Sequence, residues 1–189
     1  MRTSITFGLV VAATVVGGLF GSLLDRALVA TPAWRHLGVQ AWADYSRHAD
    51  LGSGKIVYPI GAILLWALIF AAAVSHSLDR SAPRATGVPI YLAALFSIGA
   101  IIATIIAAPT MLSVGSLGND PVALQSAVDR FTLWGVDIRG VFFALSFLCT
   151  VWALTKVSRD LARARIGQFP AHGPPTPDPA GSLGASEYP

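Results

Sequence analysis

Four polar side chains are the first candidates for chemistry in this sequence. Asp137 and Arg139 lie in "LWGVDIRGVFF" (133–143), at the head of an apolar run in which a charged side chain is costly. Tyr45 and His48 lie in the earlier segment "AWADYSRHADL" (41–51). A carboxylate or an imidazole can act as a general base, and a guanidinium can hold a developing oxyanion. These four residues are therefore the catalytic candidates.

The composition places these residues in a membrane protein. The chain has 189 residues, of which 54% are hydrophobic and 12% charged, whereas soluble domains carry about 25% charged residues. A net charge of +3 does not indicate a nucleic-acid partner. The one cysteine, Cys149, excludes a disulfide framework and a cysteine-built zinc site. The four histidines lie outside the apolar runs or at their edges, so they do not predict haem ligands. We expect no metal and no cofactor.

Four apolar runs are long enough to cross a membrane as helices. They cover residues 5–24, 56–75, 88–108 and about 134–155. The sequence therefore predicts an all-α membrane protein, a four-helix transmembrane bundle formed by residues 1–166. The tail, 167–189, is rich in proline, glycine and serine and is predicted to be disordered.

The distribution of basic residues predicts the orientation in the membrane. Seven lie on the side of the two termini: Arg2, Arg80, Arg84, Lys156, Arg159, Arg163 and Arg165. Five lie on the other side: Arg26, Arg35, Arg47, Lys55 and Arg130. Arg139 is not counted because it lies inside the fourth run. The positive-inside rule then favours cytoplasmic termini, in the plasma membrane.

The first outer loop contains signals for an amphipathic helix over residues 32–51. Thr31 is a suitable cap, Pro32 suits the first helical position, and Gly52 can end the helix. Trp34, Trp42 and Tyr45 share one face at helical spacing. Such aromatic side chains can anchor a helix at the membrane interface or form stacking walls for an aromatic ligand.

The second outer loop repeats the pattern. Asp120 can cap a helix whose first residue is Pro121. If that helix ran unbroken to residue 166, it would be about 68 Å long, twice the thickness of the hydrocarbon core. The sequence therefore predicts a bend near Gly135 or Gly140.

The outer ends of the spans also hold the candidate ligand-binding residues, namely Trp34, Trp42, Trp134 and Asp25. Asp25 and Arg26 end the first span at the same outer face of the membrane as the start of the fourth span. The topology therefore allows an ion pair between Asp25 and Arg139, and another between Asp137 and Arg26. The alternative is that Arg139 extends to the lipid headgroups while Asp137 meets water.

Small residues at four-residue intervals mark a packing face on the first span: Ala13, Gly17 and Gly21. Such a face lets two helix backbones approach closely. The pattern is compatible with packing inside the bundle and with a homo-oligomer interface, and we expect the former.

Two pairs of stretches resemble the DUF1772 family of four-span membrane proteins. They are "GLFGSLLDRALVATPAWR" with "AWADYSRHADLGSGKIVYP", and "ATIIAAPTMLSVG" with "DRFTLWGVDIRGVFFALSFLCTVWAL". In that family a proline ends span three and a W-x4-R element opens span four, here Pro109 and Trp134 with Arg139. The family is similar to fungal anthrone oxygenases, so the resemblance implies a cofactor-independent oxygenase of small aromatic substrates. The chain departs from the pattern at Thr31 and Thr110, where histidine and asparagine are expected.

Three functions remain open. The first is a non-catalytic multi-pass membrane protein that binds a lipid-like or aromatic molecule, or a partner protein. The second is the anthrone-type oxygenase, in which Tyr45, His48, Asp137 and Arg139 would supply the polar groups. The third is a small transporter. The absence of charged residues in the middle of the predicted spans argues against it.

Overall fold

The chain is helical in nearly all the parts that the computed structural model describes, residues 2–19, 25–79 and 84–166. Its α-helices are α1 (Arg2–Leu19), α2 (Thr31–Leu37), α3 (Val39–His48), α4 (Gly54–Leu78), α5 (Arg84–Ser113), α6 (Pro121–Phe131) and α7 (Arg139–Ile166). Three short segments have the wider hydrogen-bond spacing of a π-helix: π1 (Arg26–Ala30), π2 (Ala49–Ser53) and π3 (Thr132–Ile138). Within π2 the chain is kinked at Gly52, whose ψ of −116° is not helical.

Four of these helices pack side by side. α1 contacts α4 and α7, and α5 contacts the same two helices from the other side. Small side chains fill the contact region, with Ala13, Ala93 and Cys149 buried against Leu65 and Ile69. In a membrane the hydrophobic effect does not drive helices together. Small residues let the helices approach closely enough to be held by van der Waals packing.

The long helices are apolar enough to lie in a lipid bilayer. Three helical stretches have the length and composition of membrane spans: Val39–Leu78, Arg84–Ser113 and Pro121–Ala162. α1 contributes a shorter apolar helix, Ser4–Gly18, and residues 20–24, the end of the predicted first span, lie outside the described residues. The surface of the long helices is itself apolar, since Ile63, Ile105 and Leu148 are more than 60% exposed. An outward-facing apolar surface of this kind is expected for an integral membrane protein.

Two glycines receive phenylalanine rings from α7. A Cβ added at Gly17 of α1 would lie 2.9 Å from Cδ2 of Phe147, and one at Gly99 of α5 would lie 2.6 Å from the ring of Phe142. The small-residue face predicted on α1 therefore contacts the bundle at Ala13 and Gly17. The close contact at Gly17 is with a side chain rather than with a second backbone. Gly21, the third predicted member, lies outside the described residues.

Hydroxyl groups join α5 to α7 in the middle of the bundle. Ser146 donates to the backbone oxygen of Ala93 at 3.0 Å, and its Oγ lies 3.0 Å from Oγ of Ser97. Thr104 bonds the backbone of its own helix instead. A serine or threonine hydroxyl within a helix can bond the backbone of its own helix. Thr104 does so, whereas Ser97 and Ser146 bond across helices.

The loop end of the bundle carries a folded layer, the cap (residues 25–53 and 114–138). Its core is built from α2, α3 and α6 against the end of α5, with Trp42, Val114 and Leu124 completely buried. The single helix predicted over 32–51 is divided in two at Gly38, whose φ of 88° suits glycine. Thr31 does not cap a helix, because its hydroxyl bonds the backbone oxygen of Arg26 at 2.8 Å.

The second predicted cap is confirmed, and the interruption before α7 lies in the expected region. Asp120 accepts a bond from the backbone N–H of Val122, at 3.0 Å, and Pro121 opens α6. Between α6 and α7 the winding changes to π-helical over Thr132–Ile138, which includes Gly135. A Cβ at Gly135 would lie 2.6 Å from the ring of Phe131, so the ring occupies the space that the missing side chain leaves.

Candidate functional site

The three π-helical segments bring together three charged side chains at the inner surface of the cap. Arg26 is the first residue of π1, Asp50 lies in π2, and Arg139 follows π3 directly. Insertions of π-helix into α-helices are frequent at functional sites because they displace a side chain from its regular position. Pro32 contributes to π1, since it lacks the N–H that a regular α-helix would direct at residue 28. We call Arg26, Asp50 and Arg139 the charged cluster.

Arg26 is fixed by one carboxylate and three rings. Its guanidinium donates to Oδ2 of Asp50, and the two side chains are 12% and 4% exposed. The guanidinium carbon lies 5.4 Å from the ring centre of Trp34, 5.3 Å from that of Phe131 and 5.8 Å from that of Tyr58. These are cation–π distances, and they hold the arginine in one position.

Arg139 has no comparable partner among the described residues. Its electrostatic neighbours are Arg26, Asp50 and Tyr58, yet the carboxylate of Asp50 is engaged by Arg26. Three buried polar atoms of the cluster lack a hydrogen-bond partner: Nε of Arg26, Oδ1 of Asp50 and Nε of Arg139. Two guanidinium groups and one carboxylate leave the charged cluster with one excess positive charge.

A largely apolar cavity of about 470 Å³ lies between α1, α4 and α7. Its walls include Leu65, Ile69, Val136, Phe143 and Phe147, and its polar lining comes from Asp137, Ser146 and Thr150. Ala27 and Gly140 also line it. Arg26 and Arg139 directly precede these two residues in the chain but are not among the lining residues, and the charged side chain that lines the cavity is that of Asp137.

The four predicted catalytic residues do not converge. Asp137 is exposed and lines the cavity, whereas Arg139 belongs to the charged cluster. Tyr45 is 46% exposed, with its ring 5.2 Å from that of Trp34. His48 is exposed, and its Nδ1 lies 2.8 Å from the backbone oxygen of Asp44 in its own helix.

The predicted ion pairs differ from those in the structure. Asp25 is exposed and forms no ion pair with Arg139 among the described residues. Arg26 pairs with Asp50, 24 residues along the chain, instead of with Asp137. The local sequence held one signal for Asp50. Asp50 is a carboxylate near the C-terminal end of the helix predicted over 32–51. The helix dipole disfavours a negative charge at that end unless a cation lies close by.

The three predicted ligand-binding tryptophans do not share one wall. Trp34 and Trp42 are 8% and 0% exposed and belong to the core of the cap. Trp134 lines a separate, open groove with Val39, Ile106 and Leu133. Trp34 contributes to the candidate site only through its contact with Arg26.

Comparison with known protein families, with curated proteins and with solved structures finds no match. Within the described residues, no group of three or more histidine, cysteine, aspartate or glutamate side chains could hold a metal ion. The arrangement offers an apolar volume that can hold a small molecule and, separately, a charged cluster with one excess positive charge.

Proposed function

We propose that the chain is a four-span integral membrane protein that binds a small, largely apolar molecule in the cavity between α1, α4 and α7. The observation that carries the proposal is the cavity itself. Its volume of about 470 Å³ falls within the range of about 300–1,000 Å³ that is usual for small-molecule sites. Apolar walls with a few polar groups among them are also typical of such sites.

The membrane part of the proposal rests on the long apolar helices. Three helical stretches have the length and composition of spans, and α1 with residues 20–24 would make the fourth, as the apolar run 5–24 predicts. The basic residues favour an orientation with both termini in the cytoplasm and the cap on the opposite face of the plasma membrane.

Unfilled space in the cavity supports a ligand rather than internal packing. Gly140 lines the cavity and is partly buried, and a Cβ at this position would meet no atom of a neighbouring side chain or helix within 4 Å. Protein interiors are otherwise closely packed, so a volume of this size is available to a bound molecule. A lipid-like or aromatic molecule fits the largely apolar lining.

Filling the cavity tests the proposal. Gly140→Leu would extend a side chain into the free volume, while Gly8→Leu places the same side chain where a Cβ also meets no atom but outside the cavity lining. We expect Gly140→Leu to lose binding of tritiated dodecanol, measured on protein in amphipol with empty amphipol as background. Gly8→Leu should bind as the wild type does. Equal binding by all three proteins would contradict the proposal.

Membership of the DUF1772 family is a proposal that rests on the stretches quoted above. An anthrone-type oxygenase activity has no comparable support from the geometry, because Tyr45 and His48 lie away from the cavity that Asp137 lines. Incubation with an anthrone and dioxygen, followed by detection of the anthraquinone, would test that activity directly.

A further inference from the structure

The polar side chains that line the cavity present hydrogen-bond acceptors to it and no free donor. Ser146 donates its hydroxyl hydrogen to the backbone oxygen of Ala93 at 3.0 Å. Thr150 donates to the backbone oxygen of Phe147 at 2.7 Å. Because a hydroxyl group has one hydrogen to donate, only oxygen lone pairs of these two side chains remain for a ligand. The third polar lining side chain, Asp137, is a carboxylate, which accepts hydrogen bonds when it is ionised.

Asp137 also supplies the charge of the cavity lining. It is the one charged residue among the described residues that line the cavity. Its carboxylate forms no ion pair with another described residue, since the ion pairs there are those of Arg26 with Asp50 and of Arg47 with Asp44. A carboxylate is negatively charged at neutral pH. Asp137 is exposed, so an incoming cation can reach it.

The arginines of the charged cluster do not neutralise this carboxylate. Arg139 follows Asp137 by two residues, and side chains at that spacing on a helix do not face each other. The charged and titratable groups that act on Arg139 are Arg26, Asp50 and Tyr58. Neither arginine lines the cavity. The excess positive charge of the cluster is therefore not part of the cavity lining, whose own charge is negative.

We propose that the ligand of the cavity is a cationic amphipath, whose ammonium group donates to Asp137 and whose apolar tail lies among the cavity walls. The inference rests on the proposed function and specifies its ligand. An ammonium group combines a positive charge with several N–H donors, and its hydrogen bonds to a carboxylate are charge-assisted. Phe143 and Phe147 supply apolar wall further along α7, and Thr150 lies roughly 20 Å from Asp137 along the helix. One set of lining residues thus serves both the head group and the tail.

Anionic and neutral ligands match this lining less well. A carboxylate or a phosphate would meet Asp137 as a like charge and would find no free side-chain donor among the described lining residues. An alcohol can donate one hydrogen bond but carries no charge. The lining therefore predicts an order of affinity for molecules with the same tail: ammonium first, alcohol second and carboxylate last.

Three probes that differ in the head group alone test this order. Dodecylamine, dodecanol and dodecanoate share one tail, and at pH 7 the amine is protonated and the carboxyl group ionised. Binding is measured on protein in non-ionic amphipol, with empty amphipol as background. We expect the wild type to bind dodecylamine at least fivefold more tightly than dodecanol, which corresponds to about 1 kcal/mol, and dodecanoate most weakly. Gly140→Leu should lose dodecylamine binding as well, because the tail then has no space.

Substitutions at Asp137 test the head-group contact. Asp137→Asn keeps the shape of the side chain and removes its charge, so it should abolish the preference for dodecylamine while dodecanol still binds. Asp137→Glu should keep part of the preference. The matched control is Asp129→Asn, which changes the net charge equally by removing an exposed carboxylate of α6 outside the cavity lining. It should leave the preference unchanged.

The outcomes separate the two proposals. If none of the probes binds the wild type, the proposed function is wrong. If the wild type binds dodecanol and dodecylamine equally, or prefers dodecanoate, the cavity binds apolar molecules and the inference about the ammonium group is wrong, even if Asp137→Asn does not fold. A preference for dodecylamine that Asp137→Asn retains also overturns the inference, because the head group would then bind elsewhere.

Competition by lipids identifies the source of the ammonium group. Phosphatidylethanolamine carries N–H donors on its head group, whereas phosphatidylcholine carries a quaternary nitrogen without them. Each lipid is added to protein loaded with dodecylamine. Displacement by phosphatidylethanolamine alone supports a membrane lipid as the ligand, and retention of dodecylamine against both lipids supports a free amphipathic amine. Equal displacement by both lipids would contradict the requirement for an N–H donor.

Discussion

Arg26 and Asp50 form a buried ion pair between two π-helical segments of the cap. The pair joins the chain just after α1 to the chain just before α4, so it fixes the entry and the exit of the first loop. Three aromatic rings enclose the guanidinium, and Arg139 approaches from the third π-helical segment. The fold of the cap therefore depends on this electrostatic arrangement.

Asp50→Asn should destabilise the protein strongly. The substitution leaves Arg26 buried without its counter-charge, and breaking a buried pair in this way costs about 3–5 kcal/mol. The matched control is Asp44→Asn. It removes a carboxylate that is 66% exposed from its pair with Arg47, while Arg47 keeps its bonds to Gly118 and Asn119. That change should cost less than about 1 kcal/mol. Thermal melting in detergent compares the two, and similar shifts would show that the Arg26–Asp50 pair contributes little.

Gly17→Leu should loosen the contact between α1 and α7. Even a Cβ would lie 2.9 Å from the ring of Phe147, and forcing additional atoms into a packed contact costs about 1–3 kcal/mol. Gly8→Leu on the same helix meets no atom within 4 Å and serves as the control. If Gly17→Leu melts at the same temperature as Gly8→Leu, this face of α1 does not carry the packing.

Ser146→Ala should weaken the junction of α5 and α7 modestly. The change removes the bond to Ala93 and the contact with Ser97. Hydrogen bonds between membrane helices contribute about 0.6 kcal/mol on average and about 1.7 at most. Thr104→Ala removes a bond within one helix and should have no measurable effect. A larger loss for Thr104→Ala than for Ser146→Ala, measured by unfolding in mixed micelles, would contradict the interhelical assignment.

Cysteine labelling in intact cells should reveal the orientation. Ser53 of the cap and Ser77 near the end of α4 are both exposed, and the natural Cys149 is buried. An impermeant maleimide should label Ser53→Cys from outside, and Ser77→Cys after the membrane is opened. The reverse pattern would place the termini outside the cell.

The apolar runs and their polar boundaries were readable from the sequence because they depend on composition and on local backbone chemistry. Runs of about 20 apolar residues predict membrane helices whatever they pack against. Asp120 and Pro121 begin α6 as predicted, since a helix cap is a contact within one turn. Glycine at position 38 interrupts the loop helix where a longer uniform helix was expected. The periodicity of the aromatic residues continues across the break and therefore does not reveal it.

The charged cluster was decided by tertiary structure. Arg26, Asp50 and Arg139 come from three separate parts of the chain, and each lies in or beside a π-helical segment that regular helical spacing does not predict. The sequence drew attention to Arg139 because a charge at the head of an apolar run is costly. It suggested Asp25 as the partner, because only depth in the membrane could be judged from topology.

The cavity likewise depends on how helices meet. A glycine in one helix can receive a ring, as Gly99 does, or border an empty volume, as Gly140 does. The residue type is the same in both cases, and the difference lies in what the neighbouring helix places opposite it. The sequence therefore determined that this chain forms apolar helices with a charge near one end. Tertiary packing decided which of those helices leave space between them and where that charge remains unpaired.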